Sequence, residues 1–433
     1  MKRPPGELLV DQYQLTMADS YVAQGTADDR VAFELFVREL PRDRGFLVAA
    51  GLESVVEHLS ELRFHEPALE YLARAGICGP RLIDRLRDLR FDGDLDAVGE
   101  GTVIHAGEPM LRIEGGRMVC QLAESYLLNQ VNFQTLIATQ AARLVVAADG
   151  RPVIDFGFRR AHGAEAGVLA ARCAFIGGCS ATATVAAGFE WGIPTAGTMS
   201  HSYVMGFEHE LGAFEAFLRD QPQRATLLID TYDTHDGARN VILASRATGV
   251  TPQAVRIDSG EAAGLAREVR RLLDEGGLEG TRIICSGDLD EYEIERLVGQ
   301  GAPIDGFGVG TRLVTGGDVS AVGGVYKLVE SAGRPVMKTS PEKATLPGRH
   351  QVFRSDDGDV IGLADERLPG RALLEPVMRA GERVRPDPSP AEVRDRAAGE
   401  IAALSEAFRR LRYPATVRAA LSPSLAALKE TLT

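Results

Sequence analysis

The period of the hydrophobic positions changes several times along this chain. Between Gln12 and Val22 apolar residues recur three and four apart (Leu15, Ala18, then Tyr21 or Val22). That spacing makes one helical face, and Asp11 stands where an N-cap belongs. Val31-Ala32-Phe33-Glu34-Leu35-Phe36-Val37 alternates instead and predicts a strand with Arg38 at its end. Phe46 to Ala50 predicts a further strand and Leu52 to Leu62 a helix, with helical pieces continuing to Leu89. Val98 to Ile113 carries turn signals at Gly99-Glu100-Gly101 and Ala106-Gly107-Glu108-Pro109 and predicts a hairpin region. Met118 to Ala148 predicts one long helix, buried along Leu122, Leu127, Val131, Leu136 and Ala138.

From residue 150 short apolar strand signals alternate with helical ones. They fall at Val153–Phe156, Cys173–Ile176, Ile193–Ala196 (within a wider apolar signal, Phe189–Thr195), Thr226–Asp230, Val255–Asp258, Ile283–Ser286 and Gly306–Val309. This recurrence is that of βα units and predicts a parallel sheet. An amphipathic helix is expected over Phe207 to Leu218. Five of these signals end on a polar or glycine residue: Asp155-Phe156-Gly157, Asp230-Thr231, Asp258-Ser259-Gly260, Ser286-Gly287-Asp288 and Gly308-Val309-Gly310. In a parallel α/β barrel the residues at the carboxyl ends of the strands line the active site. One such ending is turn punctuation; five at matching positions predict a catalytic mouth.

Beyond Glu330 the pattern loosens. Lys338 to Lys343 reads as a polar loop, Val352–Arg354 and Val360–Leu363 as a hairpin, Pro386 to Pro390 as a linker and Ala391 to Leu411 as a helix. Three regions are expected: an N-terminal α/β domain over 1–117, an α/β barrel over 118–330, and a segment over 331–433 that returns to the first domain.

Composition narrows the function classes. Among 433 residues the formal net charge is −13, which repels a nucleic-acid backbone. Lysine occurs only at positions 2, 327, 338, 343 and 429, and no Gly-Lys pair exists, so a Walker-type phosphate loop is excluded. The same scarcity leaves a barrel aldolase without its Schiff-base lysine. The five cysteines are scattered, with no C-x-x-C pair, which fits a reducing cytoplasm and disfavours zinc ribbons. No apolar run is long enough to span a bilayer.

The candidate chemistry centres on Gly197-Thr198-Met199-Ser200-His201-Ser202. Imidazole is a nucleophile and base near neutral pH, and the surrounding hydroxyls and backbone N–H groups suit phosphate. Asp230, ending the next strand signal, suits the role of acceptor for the imidazole N–H. Asp258 and Asp288, flanked by Ser and Gly, suit the vicinal hydroxyls of a ribose and can hold Mg²⁺. The Gly308-Val309-Gly310-Thr311 turn offers backbone N–H groups to a phosphate. Phe156 with Arg159 suits a flat anionic ring.

These stretches, in this order, resemble the nicotinate phosphoribosyltransferase family, within the wider type II phosphoribosyltransferases. The matching stretches are Leu9–Met17, Phe33–Arg38, Asp155–Ala161, Gly197–Ser202, Arg256–Gly260, Ser286–Leu289 and Gly308–Thr311. The resemblance implies an irregular, partly open TIM-like α/β barrel beside an α/β sandwich domain built from both chain ends. It implies a cytoplasmic enzyme of NAD salvage that makes nicotinate mononucleotide and pyrophosphate from nicotinate and phosphoribosyl pyrophosphate, driven by ATP through a phosphorylated His201 with Asp230 as its partner. Phe156 would stack the nicotinate, Tyr13 would cover its other face from the neighbouring subunit of a dimer, and Arg159 would orient the carboxylate. Arg256, Asp258 and Asp288 would hold the ribose and diphosphate; Gly308, Gly310 and Thr311 would cradle the 5-phosphate; Arg38 would reach a neighbour's phosphates. Mg²⁺ would be held by substrate as much as by protein, with no metal fixed by protein ligands alone.

One stretch departs from the family pattern. Gly177-Gly178-Cys179-Ser180-Ala181-Thr182-Ala183-Thr184 stands where the family reads Gly-Gly-Phe-Asp-Gly-Thr-Ser-Asn. The nicotinamide enzyme carries an acidic residue where this chain has Ala183, which favours an acid over an amide. A shifted aromatic carboxylate, a sister activity on nicotinamide or quinolinate, and a catalytically silent nucleotide-binding protein are the alternatives.

Overall fold

The computed structural model describes residues 5–340 and 343–432; Pro341 and Glu342 of the expected polar loop lie outside them. The chain divides into two compact units, one of residues up to Leu136 and from Ala321 onward, the other Ile137–Ser320. The division falls inside the long helix Arg117–Ala148.

The first unit draws on both ends of the chain. Its seven-stranded antiparallel sheet runs Arg334–Pro335, Gly324–Ser331, Arg30–Val37, Pro109–Gly116, Asp94–Val98, Leu374–Arg379, Glu382–Arg383. Arg30–Val37 is central, with neighbours from late and early sequence. On it Phe33 stacks on Tyr326 with ring centroids 4.7 Å apart, and the Tyr326 hydroxyl donates to the Cys120 carbonyl at 2.7 Å. A buried aromatic with its polar tip satisfied locks such a sheet to its covering helix. The helix Gln12–Gln24 starts as expected: the Asp11 N–H donates to Gln14 Oε1 at 2.8 Å in a capping box, and Leu15 and Ala18 are buried. A four-stranded sheet contains the expected hairpin, His350–Ser355 with Gly358–Leu363.

The second unit is a curled parallel sheet, an open half-barrel of six strands. Their order is Ala181–Thr182, Val153–Asp155, Gly306–Val309, Arg282–Cys285, Ala254–Ile257, Thr226–Leu228. Helices Ala164–Ile176, Thr234–Thr248, Ala262–Glu275 and Glu291–Gly299 fill the crossovers. All ladders are parallel, so all six carboxyl ends share one edge.

Several expected elements differ. Cys173–Ile176 is not a strand but the last turn of the helix Ala164–Ile176, buried at every position from Ala170 onward. A helix buried all round loses its 3.6-residue stripe and cannot be told from a buried strand by periodicity. Phe189 to Trp191 likewise belongs to the helix Val185–Trp191. Ile193–Ala196 makes only the isolated bridge of Thr195 with Thr182, because Pro194 has no N–H to extend the ladder. The Phe207–Leu218 helix is observed as Glu210–Asp220, and a separate five-residue helix His201–Met205 precedes it. The Phe46–Ala50 strand shortens to Leu47–Val48, and the Ala391–Leu411 helix stops at Ala403.

Candidate active site

The shared carboxyl edge of the half-barrel collects Phe156, Asp230, Asp258, Ser286 and Gly310, each just past a strand. Asp258 is the hub. Its Oδ1 accepts the Ser286 hydroxyl and lies 3.6 Å from an Arg256 terminal nitrogen; its Oδ2 lies 3.8 Å from His201 Nε2. Asp258, Ser259, Ser286, Gly287, Asp288 and Glu293 line a cleft of about 530 Å³. Gly287 and Asp288 both have left-handed backbone, φ 93° and 46°, which turns the chain sharply at the strand end.

Arg256 ties three parts of the site together. One terminal nitrogen donates to the Thr198 hydroxyl and at 3.4 Å to the Met199 carbonyl, holding the loop before His201. The guanidinium lies 5.9 Å from the centroid of the Phe156 ring. Its Nε is buried without a hydrogen-bond partner. Burial pulls the Arg256 pKa below its usual value, Asp258 and Asp230 push the other way, and the nearby Arg159 charge adds to the lowering. An arginine so placed stays charged and is a strong donor to any anion entering the cleft.

Phe156 is held by its neighbours. Its N–H donates to the Val309 carbonyl at 2.8 Å. The buried Asp155 carboxylate accepts the Gly157 N–H at 2.7 Å and the Thr182 hydroxyl at 2.7 Å, closing the turn that carries the ring. Burial raises the Asp155 pKa, and those two hydrogen bonds oppose it. The edge of the ring lies over Gly308, where a Cβ would come within 2.6 Å of Phe156 Cδ2. Asp155→Asn can keep the Gly157 N–H satisfied but takes away the acceptor of the buried Thr182 hydroxyl proton; we expect a loss of about 1–3 kcal/mol in stability, read as a lowered urea midpoint with unchanged slope.

His201 opens the helix His201–Met205 after Ser200 rather than sitting in an open turn. Asp230 does not take its N–H, correcting the expected pairing. Asp230 Oδ2 is committed to the Asp258 N–H at 2.9 Å and the Ser259 hydroxyl at 2.6 Å. The His201 Nδ1 lies instead 3.2 Å from the Thr231 hydroxyl oxygen. The sequence does not mark Thr231, Thr198 and Ser286 as individual site residues. Thr231 and Ser286 lie inside the polar strand endings, where position after a strand is their signal, and Thr198 lies inside the His201 stretch. Cys285, beneath the cleft, is an inert packing thiol, its pKa pushed up to about 12 by burial.

The half-barrel thus carries His201, Asp230, Phe156, Arg159, Arg256, Asp258, Asp288, Gly308, Gly310 and Thr311, the last opening the helix Thr311–Val314 behind its cap Gly310. Tyr13 and Arg38 lie in the other unit. Tyr13 is 47% exposed on the helix Gln12–Gln24, its pKa raised by partial burial and by Glu124. Arg38 ends the central strand and lines a cavity of about 510 Å³ with Glu34, Phe36, His350 and Arg418.

Two family models match the chain: the nicotinate phosphoribosyltransferase (NAPRTase) N-terminal domain over residues 8–132 and the C-terminal domain over residues 359–429. Nicotinate phosphoribosyltransferase pncB2 of Mycobacterium tuberculosis is 42% identical over 98% of this chain and 94% of its own length. The chain belongs to the nicotinate phosphoribosyltransferase family. The Bacillus subtilis nicotinate phosphoribosyltransferase is 40% identical over 85% of this chain and 78% of its own. The crystal structure of human nicotinic acid phosphoribosyltransferase superposes with a TM-score of 0.87 at 30% identity, over 98% of this chain and 99% of that one. The expected α/β class with its open barrel is therefore the fold of this family. Both matched family domains lie in the unit built from the chain ends; His201, Asp258 and their neighbours lie between them in sequence.

Proposed function

We propose that this chain transfers the phosphoribosyl group of phosphoribosyl pyrophosphate to nicotinate, giving nicotinate mononucleotide and pyrophosphate, in step with ATP-dependent phosphorylation of His201. The observation that carries this reading is the convergence on Arg256. One half-buried cation lies against an aromatic ring, a carboxylate and the loop that leads to a histidine. Glycosyl transfer at an anomeric carbon passes through a cation-like state, as in glycosidases. Here Asp258 supplies negative charge beside that centre. Phe156 offers a face for the pyridine, and Arg159 with Arg256 supplies positive charge for its carboxylate. Ala183, exposed just past Ala181–Thr182 with its N–H donating to the Asp155 carbonyl at 2.8 Å, brings no acid to select an amide.

The site fits Mg²⁺ only in part. Among the described residues no three His, Cys, Asp or Glu side chains gather to hold a metal. Mg²⁺ commonly binds through one or two carboxylates plus substrate phosphates, and Asp258 and Asp288 would be those carboxylates. It would neutralise charge on the departing pyrophosphate. Tyr13 and Arg38 fit the same reading as contributions from a second copy to a shared site in a homodimer. The five cysteines are buried thiols, which suits the cytoplasm. No described helix is long and apolar enough to cross a membrane.

The test is pyrophosphate release from phosphoribosyl pyrophosphate and Mg²⁺, offering nicotinate, nicotinamide and quinolinate separately, with and without ATP. Release with nicotinate, raised by ATP in the wild type but not in His201→Ala, is the expected result. Release with nicotinamide alone would overturn the role given to Ala183, and folded protein that releases none would overturn the activity.

A further inference from the structure

We propose that Gln140 is a positioning residue that sets the spacing between Asp288 and the Gly310 turn. This rests on the reading of those two places as holders of the phosphoribosyl group and deepens it. Gln140 is fully buried, on the part of the helix Arg117–Ala148 that belongs to the half-barrel. Its side-chain amide meets both segments at once. Nε2 donates to Glu291 Oε2 at 2.6 Å, and Glu291 opens the helix Glu291–Gly299 three residues beyond Asp288. The same amide lies against Gly317, where a Cβ would come within 2.9 Å of both Gln140 Nε2 and Oε1. Gly317 closes the turn after the helix Thr311–Val314, its N–H donating to the Arg312 carbonyl at 2.7 Å.

The chain around Asp288 is pinned on both sides. Before it, the Ser286 N–H donates to the Ile257 carbonyl at 2.9 Å. After it, the Asp290 carboxylate caps the helix by accepting the Glu293 N–H at 2.8 Å, and Arg143 Nε donates to Glu291 Oε1 at 3.0 Å. Between these points Asp288 keeps its left-handed φ of 46°, which a residue with a side chain holds where its surroundings impose it. The buried Arg143–Glu291 pair is not needed for stability as such, since well-packed apolar side chains commonly serve as well. What apolar side chains lack is direction. Two directed hydrogen bonds onto the Glu291 carboxylate fix where the helix starts, and the glycine at 317 lets the Gln140 amide reach the segment behind Gly310. The turn that carries Phe156 is closed by Asp155 instead. Loosening Gln140 therefore acts on the grip on phosphoribosyl pyrophosphate and leaves the grip on nicotinate in place.

The experiment measures initial rates of pyrophosphate release by the full chain with Mg²⁺ and ATP, varying phosphoribosyl pyrophosphate at saturating nicotinate and then the reverse. Gln140→Met keeps the length of the side chain and removes the donor. Its KM for phosphoribosyl pyrophosphate is expected to rise about three- to tenfold, the factor that one hydrogen bond sets on an equilibrium, with the KM for nicotinate within about twofold of wild type. The exchange Gln140→Glu with Glu291→Gln keeps an amide, a carboxylate and the hydrogen bond between them, and is expected to return the first KM to within about twofold. A merely structural role would lower the melting temperature and the active fraction and move neither KM. A Met variant with both KM values unchanged, or with both raised alike, overturns the proposal. So does an exchange variant as weak for phosphoribosyl pyrophosphate as the Met variant. Should the Met variant not fold, Gln140→Asn, whose amide falls one methylene short of Glu291, decides by the same two KM values. Wild type that releases no pyrophosphate fails the phosphoribosyl reading itself, and this inference with it.

Discussion

Asp258→Asn is expected to lower kcat/KM for phosphoribosyl transfer by about 100- to 1,000-fold in protein that still folds. The substitution keeps the shape and removes the charge. Asp258 meets Ser286, Arg256 and His201 at once. On the proposed function, losing it would remove the negative charge beside a cation-like centre and one of the carboxylates proposed for Mg²⁺, and it removes the counter-charge of Arg256. Arg256 is half-buried and its buried Nε already lacks a partner, so some stability is lost too. A melting temperature lower by a few degrees accompanies the kinetic loss, because an asparagine oxygen still accepts from Ser286 and only the ionic part is gone. Pyrophosphate release and a thermal melt on the same preparation separate the two effects. A loss below about tenfold in folded protein would remove Asp258 from the transition state.

Much of this site was legible because strand ends carry a sequence signal. Asp258, Ser286 and Gly308 follow or close short apolar runs, and a parallel sheet brings all such ends to one edge. Two things were not legible. One is the partner of His201: Asp230 and Thr231 are adjacent, and which of them meets the imidazole depends on where the Asp258 backbone and Ser259 draw the Asp230 carboxylate. No pattern of residue types encodes that competition. The other is the stretch from Cys173 to Ala196, where the buried end of the helix Ala164–Ile176 shows a strand-like apolar run and a proline stops a ladder after one bridge. In the first unit the central strand Arg30–Val37 was legible from its alternation. Its neighbours were not, since Gly324–Ser331 lies some 290 residues later and pairing at that range leaves no local trace.

Gly287→Ala is expected to be the most damaging single-methyl change in the half-barrel. A Cβ at Gly287 would overlap the Asp258 carbonyl oxygen and come within 2.9 Å of its carbon, so the obstacle is backbone and cannot rotate away. Relief requires the strands Ala254–Ile257 and Arg282–Cys285 to part at their carboxyl ends, where the Ser286 N–H donates to the Ile257 carbonyl at 2.9 Å. The left-handed φ of 93° adds about 1–2 kcal/mol for any residue with a side chain, and overpacking adds about 1–3 kcal/mol. Together these amount to about 2–5 kcal/mol, or a melting temperature lower by about 2–5 °C for a chain of this length. Activity falls further than stability, because the same displacement moves Asp258 and Asp288 away from each other across the cleft. Two neighbours isolate the causes. Gly277→Ala has a left-handed φ of 80° but open space around the Cβ, so it should show the conformational part alone. Gly280→Ala has neither constraint and should melt with the wild type. If Gly287→Ala melts no lower than Gly277→Ala, the close approach at Asp258 is absent in solution. The cleft between Asp258 and Gly287 is then wider than the structure shows.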